Sequence, residues 1–153
     1  VHLTVVGAEE KTSSVTRSGY LQELKAWVQK TNLNNKVTFA GRKSPEELKA
    51  YYKNADIFVY PSQYENFGQP LLEAAAHGLP IVATQVGIAR DIVIEGETGY
   101  LTSGDPKSMS DRIQILQDND LRKQMGVRIK TIIKEKFDWE NIMSQYINLY
   151  NSL

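Results

Sequence analysis

Short apolar runs alternate with longer stretches of helical spacing along the whole chain. His2 to Val6 is a β-rich run ending at Gly7 and predicts a buried strand. Ala8 to Ser18 has no apolar period and reads as an exposed loop. Leu21, Leu24, Trp27 and Val28 then recur at helical spacing, which predicts a helix from about Gly19 to Thr31. Val37 to Ala40 is the second strand, and Ser44-Pro45-Glu46-Glu47 opens the next helix. There the Ser caps, the Pro occupies the first turn and a Glu stands three residues after the cap. That helix carries Leu48, Tyr51 and Tyr52. Asp56 to Tyr60 is the third strand, and a helix from Gln69 to His77 follows, ended by Gly78-Leu79-Pro80 before a fourth strand, Ile81 to Thr84. A short helix around Ile88 to Ile94 and a strand at Tyr100 to Leu101 complete the alternation. Three helices close the chain: Pro106 to Gln117, Asp120 to about Lys136, and Asp138 to about Asn151.

Strands and helices that alternate through short connections predict an α/β fold, a doubly wound, Rossmann-like parallel sheet followed by C-terminal helices. In such folds ligands lie beyond the carboxyl ends of the strands. The chain has 153 residues and 41% hydrophobic content, enough for one domain spanning 1–153 and too little for two comfortable ones. Eighteen basic and eighteen acidic side chains cancel, so no global field draws nucleic acid or anionic lipid, and any anion site must be local. The absence of cysteine excludes disulfides and thiolate metal sites and fits a reducing compartment. No apolar run approaches the roughly twenty residues that cross a bilayer, so a cytoplasmic location is expected, with at most peripheral membrane association through a parent protein. Val1 falls inside a strand pattern, which reads as the start of an excised fragment.

The densest chemistry lies in Tyr64-Glu65-Asn66-Phe67-Gly68-Gln69-Pro70-Leu71-Leu72-Glu73. Two carboxylates separated by seven residues bracket a helix start. One sits in the preceding loop and the other a turn inside the helix, so both can face a ligand lying on the helix N-terminus. Unpaired N–H groups and the positive end of the macrodipole favour a phosphate there, and the carboxylates can accept protons from hydroxyls. Gly68 keeps the backbone approachable, and Pro70 pre-sets a first-turn dihedral without losing a hydrogen bond.

This segment resembles the signature of the retaining glycosyltransferases of GT-B architecture, the glycosyl transferases group 1 family: a Glu, seven residues, and a second Glu. The flanks extend the resemblance. Ile57 to Ser62 matches the strand before the signature, Ala74 to Thr84 the helix end and next strand, and Gly87, Asp91 to Val93 and Gly96 to Leu101 continue it. The run Ala74 to Pro80 is reminiscent of the sucrose-phosphate synthase branch. The resemblance implies the nucleotide-sugar-binding half of an enzyme that moves a sugar from a nucleoside diphosphate to an acceptor hydroxyl. Glu65 would be the catalytic contact, holding a hydroxyl of the donor sugar, and Glu73 would hold the ribose hydroxyls. Backbone N–H groups of Asn66, Phe67 and Gly68 would face the sugar, and those around Gln69, Leu71 and Leu72 the phosphates. Gly7 and Gly41 end strands at one edge, and the family places the base near Gly41. Arg42 with Lys43 reads either as a solvated basic pair or as a contact to the base or phosphates.

The resemblance also implies that an acceptor-binding domain, and a first strand–helix unit carrying the pyrophosphate-facing Arg and Lys, lie ahead of residue 1, so this chain alone is expected to be inactive. No metal or other cofactor is expected, since N–H groups and cations neutralise the diphosphate. Asp118-Asn119-Asp120 matches the acid, any residue, acid string of metal-dependent glycosyltransferases, but Asp120 before Leu121 also reads as a helix cap. His77 reads as a helix-end residue matched to the dipole and, alternatively, as catalytic. Where the family has paired glycines after the fourth strand, this chain has Gly87-Ile88, so a β-branched side chain is expected where backbone approaches the donor. Two other classes remain open: a nucleotide-sugar epimerase of the same architecture, and a binding module without chemistry.

Overall fold

The computed structural model describes residues 1–9 and 19–153, so the loop expected over Ala8 to Ser18 lies, from Glu10 onward, outside the described residues. The described chain forms two compact units, Val1–Ala50 and Tyr51–Leu153. In the first, strand β1 (Leu3–Val6) is followed by helix α1 (Tyr20–Lys30), strand β2 (Val37–Gly41) and the opening turns of α2 (Pro45–Asn54). β1 and β2 pair in parallel, Leu3 opposite Val37 and Val5 opposite Phe39, with an irregularity after Val5. Ser44 starts α2 as its sequence predicts. The Glu47 carboxylate accepts from the Ser44 N–H at 2.9 Å, and the Ser44 hydroxyl accepts from the Glu47 N–H at 3.3 Å, a reciprocal capping box.

The second unit contains β3 (Phe58–Tyr60), α3 (Gln69–Ala76), β4 (Ile81–Thr84), α4 (Ala89–Ile92), β5 (Gly99–Thr102), α5 (Pro106–Ile115), α6 (Asn119–Phe137) and α7 (Trp139–Asn151). Its three strands form a parallel sheet in the order β3-β4-β5, with Phe58 and Gly99 both registered on Ile81. The parallel α/β architecture is the expected one, with the strands shared between this sheet and the β1–β2 pair. β4 is central, and its apolar run follows from that place. Ile81 and Ala83 face Leu71, Ala75, Ile88, Ile92 and Ile129 from α3, α4 and α6. Val82 faces the other way, to Tyr100, Leu116 and Met125. A strand covered on both faces has no polar side to offer, which explains four consecutive buried residues.

Helix ends follow local rules, with one correction there and one at a strand start. α3 ends in a Schellman arrangement: the Gly78 N–H donates to the Ala75 carbonyl at 2.9 Å and the Leu79 N–H to that of Ala74 at 3.1 Å. α6 is capped by Asp118 and not by Asp120, because the helix already begins at Asn119. The Asp118 carboxylate accepts from the N–H groups of Asp120 at 2.9 Å and Leu121 at 3.1 Å. The third strand starts at Phe58, two residues later than expected, and Asp56 ahead of it pairs with Arg122 at 3.5 Å. Among the described residues no helix is long and apolar enough to cross a membrane.

Candidate functional site

The signature segment leaves the carboxyl end of β3 and enters α3. Gly68 stands at the helix N-cap with φ 87°, a left-handed conformation that suits glycine. A side chain there would also crowd its neighbours, since a Cβ would lie 2.9 Å from Leu71 Cδ1 and 3.3 Å from Glu65 Cγ. Gln69 is the first helical residue and Pro70 the second. α5, α6 and α7 are each capped by an aspartate side chain, whereas α3 has no side-chain cap and no acid in its first turn. Glu73 therefore lies a full turn inside the helix, as its spacing predicts.

The structure brings Glu65 through Glu73 together and adds two tyrosines that sequence reasoning passed over. The Tyr60 hydroxyl, at the end of β3, donates to Glu65 Oε2 at 2.6 Å, within the short range of a charge-assisted O–H···O⁻ bond. Glu65 Oε1 accepts from the Asn66 N–H at 3.1 Å. The Tyr60 hydroxyl, aided by the N–H groups of Phe67, Asn66 and Gly68, holds the Glu65 carboxyl below the usual glutamate range against a partial desolvation. Glu65 is thus an anion at neutral pH, and the Asn66 N–H, one of those expected to face the sugar, donates to it. The Tyr52 hydroxyl donates to Glu73 Oε2 at 3.0 Å, and the Gln69 amide donates to Glu73 Oε1 at 3.1 Å. Burial, then the adjoining carboxylates, push both phenols well above the ordinary tyrosine range, so they remain neutral donors. One sequence signal was available for the first pair, a strand-end tyrosine five positions before Glu65. Tyr52 and Glu73 stand on different helices, and no local spacing announces them.

The other expected residues fall as follows. Phe67 is exposed, and its carbonyl accepts from the Ile88 N–H at 2.8 Å, which ties the loop after β4 to the signature loop. Gly87, with φ 48°, permits this: a Cβ there would stand 2.4 Å from the Phe67 oxygen. Ile88 is buried with Leu71 and Ala75, so its side chain turns into the core and away from the backbone face where it was expected to intrude. Leu71 is fully buried and its N–H donates to the Gly68 carbonyl at 2.9 Å, which uses internally a donor expected for phosphate; Leu72 is half-buried against the same core. His77 is the C-cap of α3: its Nδ1 lies 2.8 Å from the Glu73 carbonyl, and its ring stacks on Tyr52 at 5.2 Å. In the first unit, Gly7 and Gly41 meet through a 3.0 Å bond from the Gly7 N–H to the Gly41 carbonyl. Arg42 follows at the surface, and Lys43 pairs with Glu47 at 3.4 Å. Among the described residues no three His, Cys, Asp or Glu side chains gather into a group that could hold a metal.

Parallel strands covered by helices, with one carboxylate before an uncapped helix start and one a turn inside it, are the arrangement of a GT-B type domain. The model of the glycosyl transferases group 1 family matches residues 1–131, and the chain belongs to that family. A D-inositol 3-phosphate glycosyltransferase of Corynebacterium urealyticum is 36% identical over 143 residues, which are 92% of this chain and 33% of that protein. A sucrose-phosphate synthase from Thermosynechococcus elongatus superposes with a TM-score of 0.83 at 34% identity, over 99% of this chain and 38% of that one. Anabaena HepE, solved in complex with UDP, superposes at 0.85 over 100% of this chain and 41% of that one; at 24% identity this is a likeness of fold. The chain spans about a third of the length of the curated relatives it matches.

Proposed function

We propose that this chain is the donor-binding half of a retaining glycosyltransferase, which moves a sugar from a nucleoside diphosphate sugar to an acceptor hydroxyl. The observation that carries the reading is the pair of carboxylates at the start of α3, each with a phenol on one oxygen and lone pairs left for ligand hydroxyls. Glu73 takes the ribose hydroxyls and Glu65 a hydroxyl of the sugar, while the diphosphate lies against the uncapped first turn of α3. As the sugar–phosphate bond breaks, negative charge grows on the leaving phosphate, and fixed N–H groups stabilise it without reorganising. The chemistry is electrostatic and needs no metal. Transfer belongs to the whole protein, whose remaining part selects the acceptor, and this chain supplies donor binding alone.

The test is calorimetry of this chain with UDP, ADP and GDP and with their hexose conjugates. For the nucleotide that binds, Glu73→Gln weakens both the bare diphosphate and the conjugate by about 1.5–3 kcal/mol. Glu65→Gln weakens the conjugate alone. Unchanged binding in both variants overturns the reading.

A further inference from the structure

The two signature carboxylates are held by side chains outside the signature itself. Tyr60 is a strand residue whose ring packs on the core of the second unit and lies 5.9 Å from that of Phe58, nearly parallel to it. Tyr52 is 7% exposed, and its ring sits between Phe58 at 5.9 Å and His77 at 5.2 Å. Tyr52, Phe58 and Tyr60 therefore form one continuous aromatic cluster, tilted at 60° between Tyr52 and Phe58 and stacked between Phe58 and Tyr60, and its two phenol hydroxyls end on Glu73 and Glu65. The alternatives for fixing these carboxylates are weaker. Glu65 lies in an irregular loop, and its other oxygen is held by the N–H of its own neighbour, Asn66. Glu73 has on its other side the flexible, exposed amide of Gln69.

Resting on the donor-site reading above, we infer that Tyr52 and Tyr60 are positioning residues of this site, Tyr60 for the carboxylate that meets the sugar and Tyr52 for the one that meets the ribose. A carboxylate must be held within about half an ångström of its working position to discriminate among hydroxyls, and rotamers locked by packing do this better than loop side chains. Each phenol takes one lone pair and turns the others outward. Because both phenols belong to one packed aromatic cluster, the distance between the sugar-facing and ribose-facing acids is set before a ligand arrives. A phenol that remains neutral through physiological pH keeps donating throughout.

Tyr60→Phe and Tyr52→Phe keep the rings and remove only the hydroxyls. By calorimetry against the ligands named above, Tyr60→Phe is expected to leave the bare nucleoside diphosphate unchanged and to weaken its sugar conjugate about two- to tenfold. Tyr52→Phe is expected to weaken both ligands by a similar factor. A second measurement needs no ligand: the carboxyl carbon of Glu65, followed by NMR across the acid range, titrates at higher pH in Tyr60→Phe than in the unaltered chain. A structural brace alone would shift melting without separating the two ligands. If both Tyr variants bind as the unaltered chain does while the Glu→Gln variants weaken binding, the positioning role is wrong and the donor site stands. If Tyr60→Phe weakens the bare diphosphate and the conjugate equally, or leaves the Glu65 titration in place, the assignment of Tyr60 falls. If the Glu→Gln variants change nothing, the donor reading falls and the tyrosine assignment with it.

Discussion

The two units build parallel strands from similar residues and bury them to very different depths. In the first, Leu3 of β1 is 48% exposed, and Val28 of α1 is the one buried apolar residue among those described. In the second, Ile81, Val82 and Ala83 of β4 are all at 0%, with apolar side chains packed on both sheet faces. Strand composition reports a preference for the pleated backbone, whereas burial depends on what lies on each side of the strand. β4 has a strand on either side and helices above and below it, while β1 pairs with β2. The site-bearing segment leaves β3, the half-buried edge strand paired to the deeply buried β4, so that a carboxylate can be aimed against a fixed reference.

The largest effect that tests this contrast comes from truncating the core. Leu71→Ala empties a fully buried position of α3 and is expected to cost about 2–5 kcal/mol by urea denaturation. Val5→Ala in β1 removes a half-exposed side chain and is expected to cost about 1 kcal/mol or less. Equal losses would mean that the two units share one depth of packing. Gly87→Ala comes next. It combines a left-handed backbone with a Cβ placed 2.4 Å from the Phe67 oxygen, and is expected to cost about 2–4 kcal/mol. Because Phe67 belongs to the signature loop, the same change should weaken nucleotide-sugar binding, read by calorimetry. A destabilised variant with unaltered affinity would show that the tie from Ile88 to Phe67 does not shape the site.

What was legible in the sequence was local, and what was hidden was pairing at a distance. The capping Ser of α2, the Gly-Leu-Pro stop of α3 and the acid-flanked start of α3 each carry their cause within a few residues, and each appears where expected. Asp120 before Leu121 reads as a cap in the sequence, yet the cap is Asp118, and only the backbone shows which N–H groups need an acceptor. Ile88 looked like an intruder at the donor face. Its side chain instead joins the cluster under α3, a direction that depends on the turn at Gly87 and not on residue type. The tyrosine partners of the two acids were hidden for the same reason. Tyr52 and Glu73 are 21 positions apart on separate helices, and the packing of Tyr52 against Phe58 and His77 brings its hydroxyl within hydrogen-bond distance of the acid.

The smallest effects should be alike in both units, because helix caps are local and do not depend on the depth of the core. Ser44→Ala at the start of α2 and Asp118→Ala at the start of α6 are each expected to cost about 0.5–2 kcal/mol. The capping box of α2 adds a pH signature. The Ser44 N–H, then Lys43 and the Ser44 hydroxyl, hold the Glu47 carboxyl below its ordinary value. A depressed folded pKa means that the unfolded chain takes up the proton first as pH falls. The contribution of Glu47 is therefore fully present above the ordinary glutamate pKa, about 4.3, and is lost as pH falls through the lower folded value. Thermal melts of the unaltered chain and of Glu47→Gln should differ at pH 7 and converge in acid. A difference that persists below the folded value would show that Glu47 acts through packing and not through its charge.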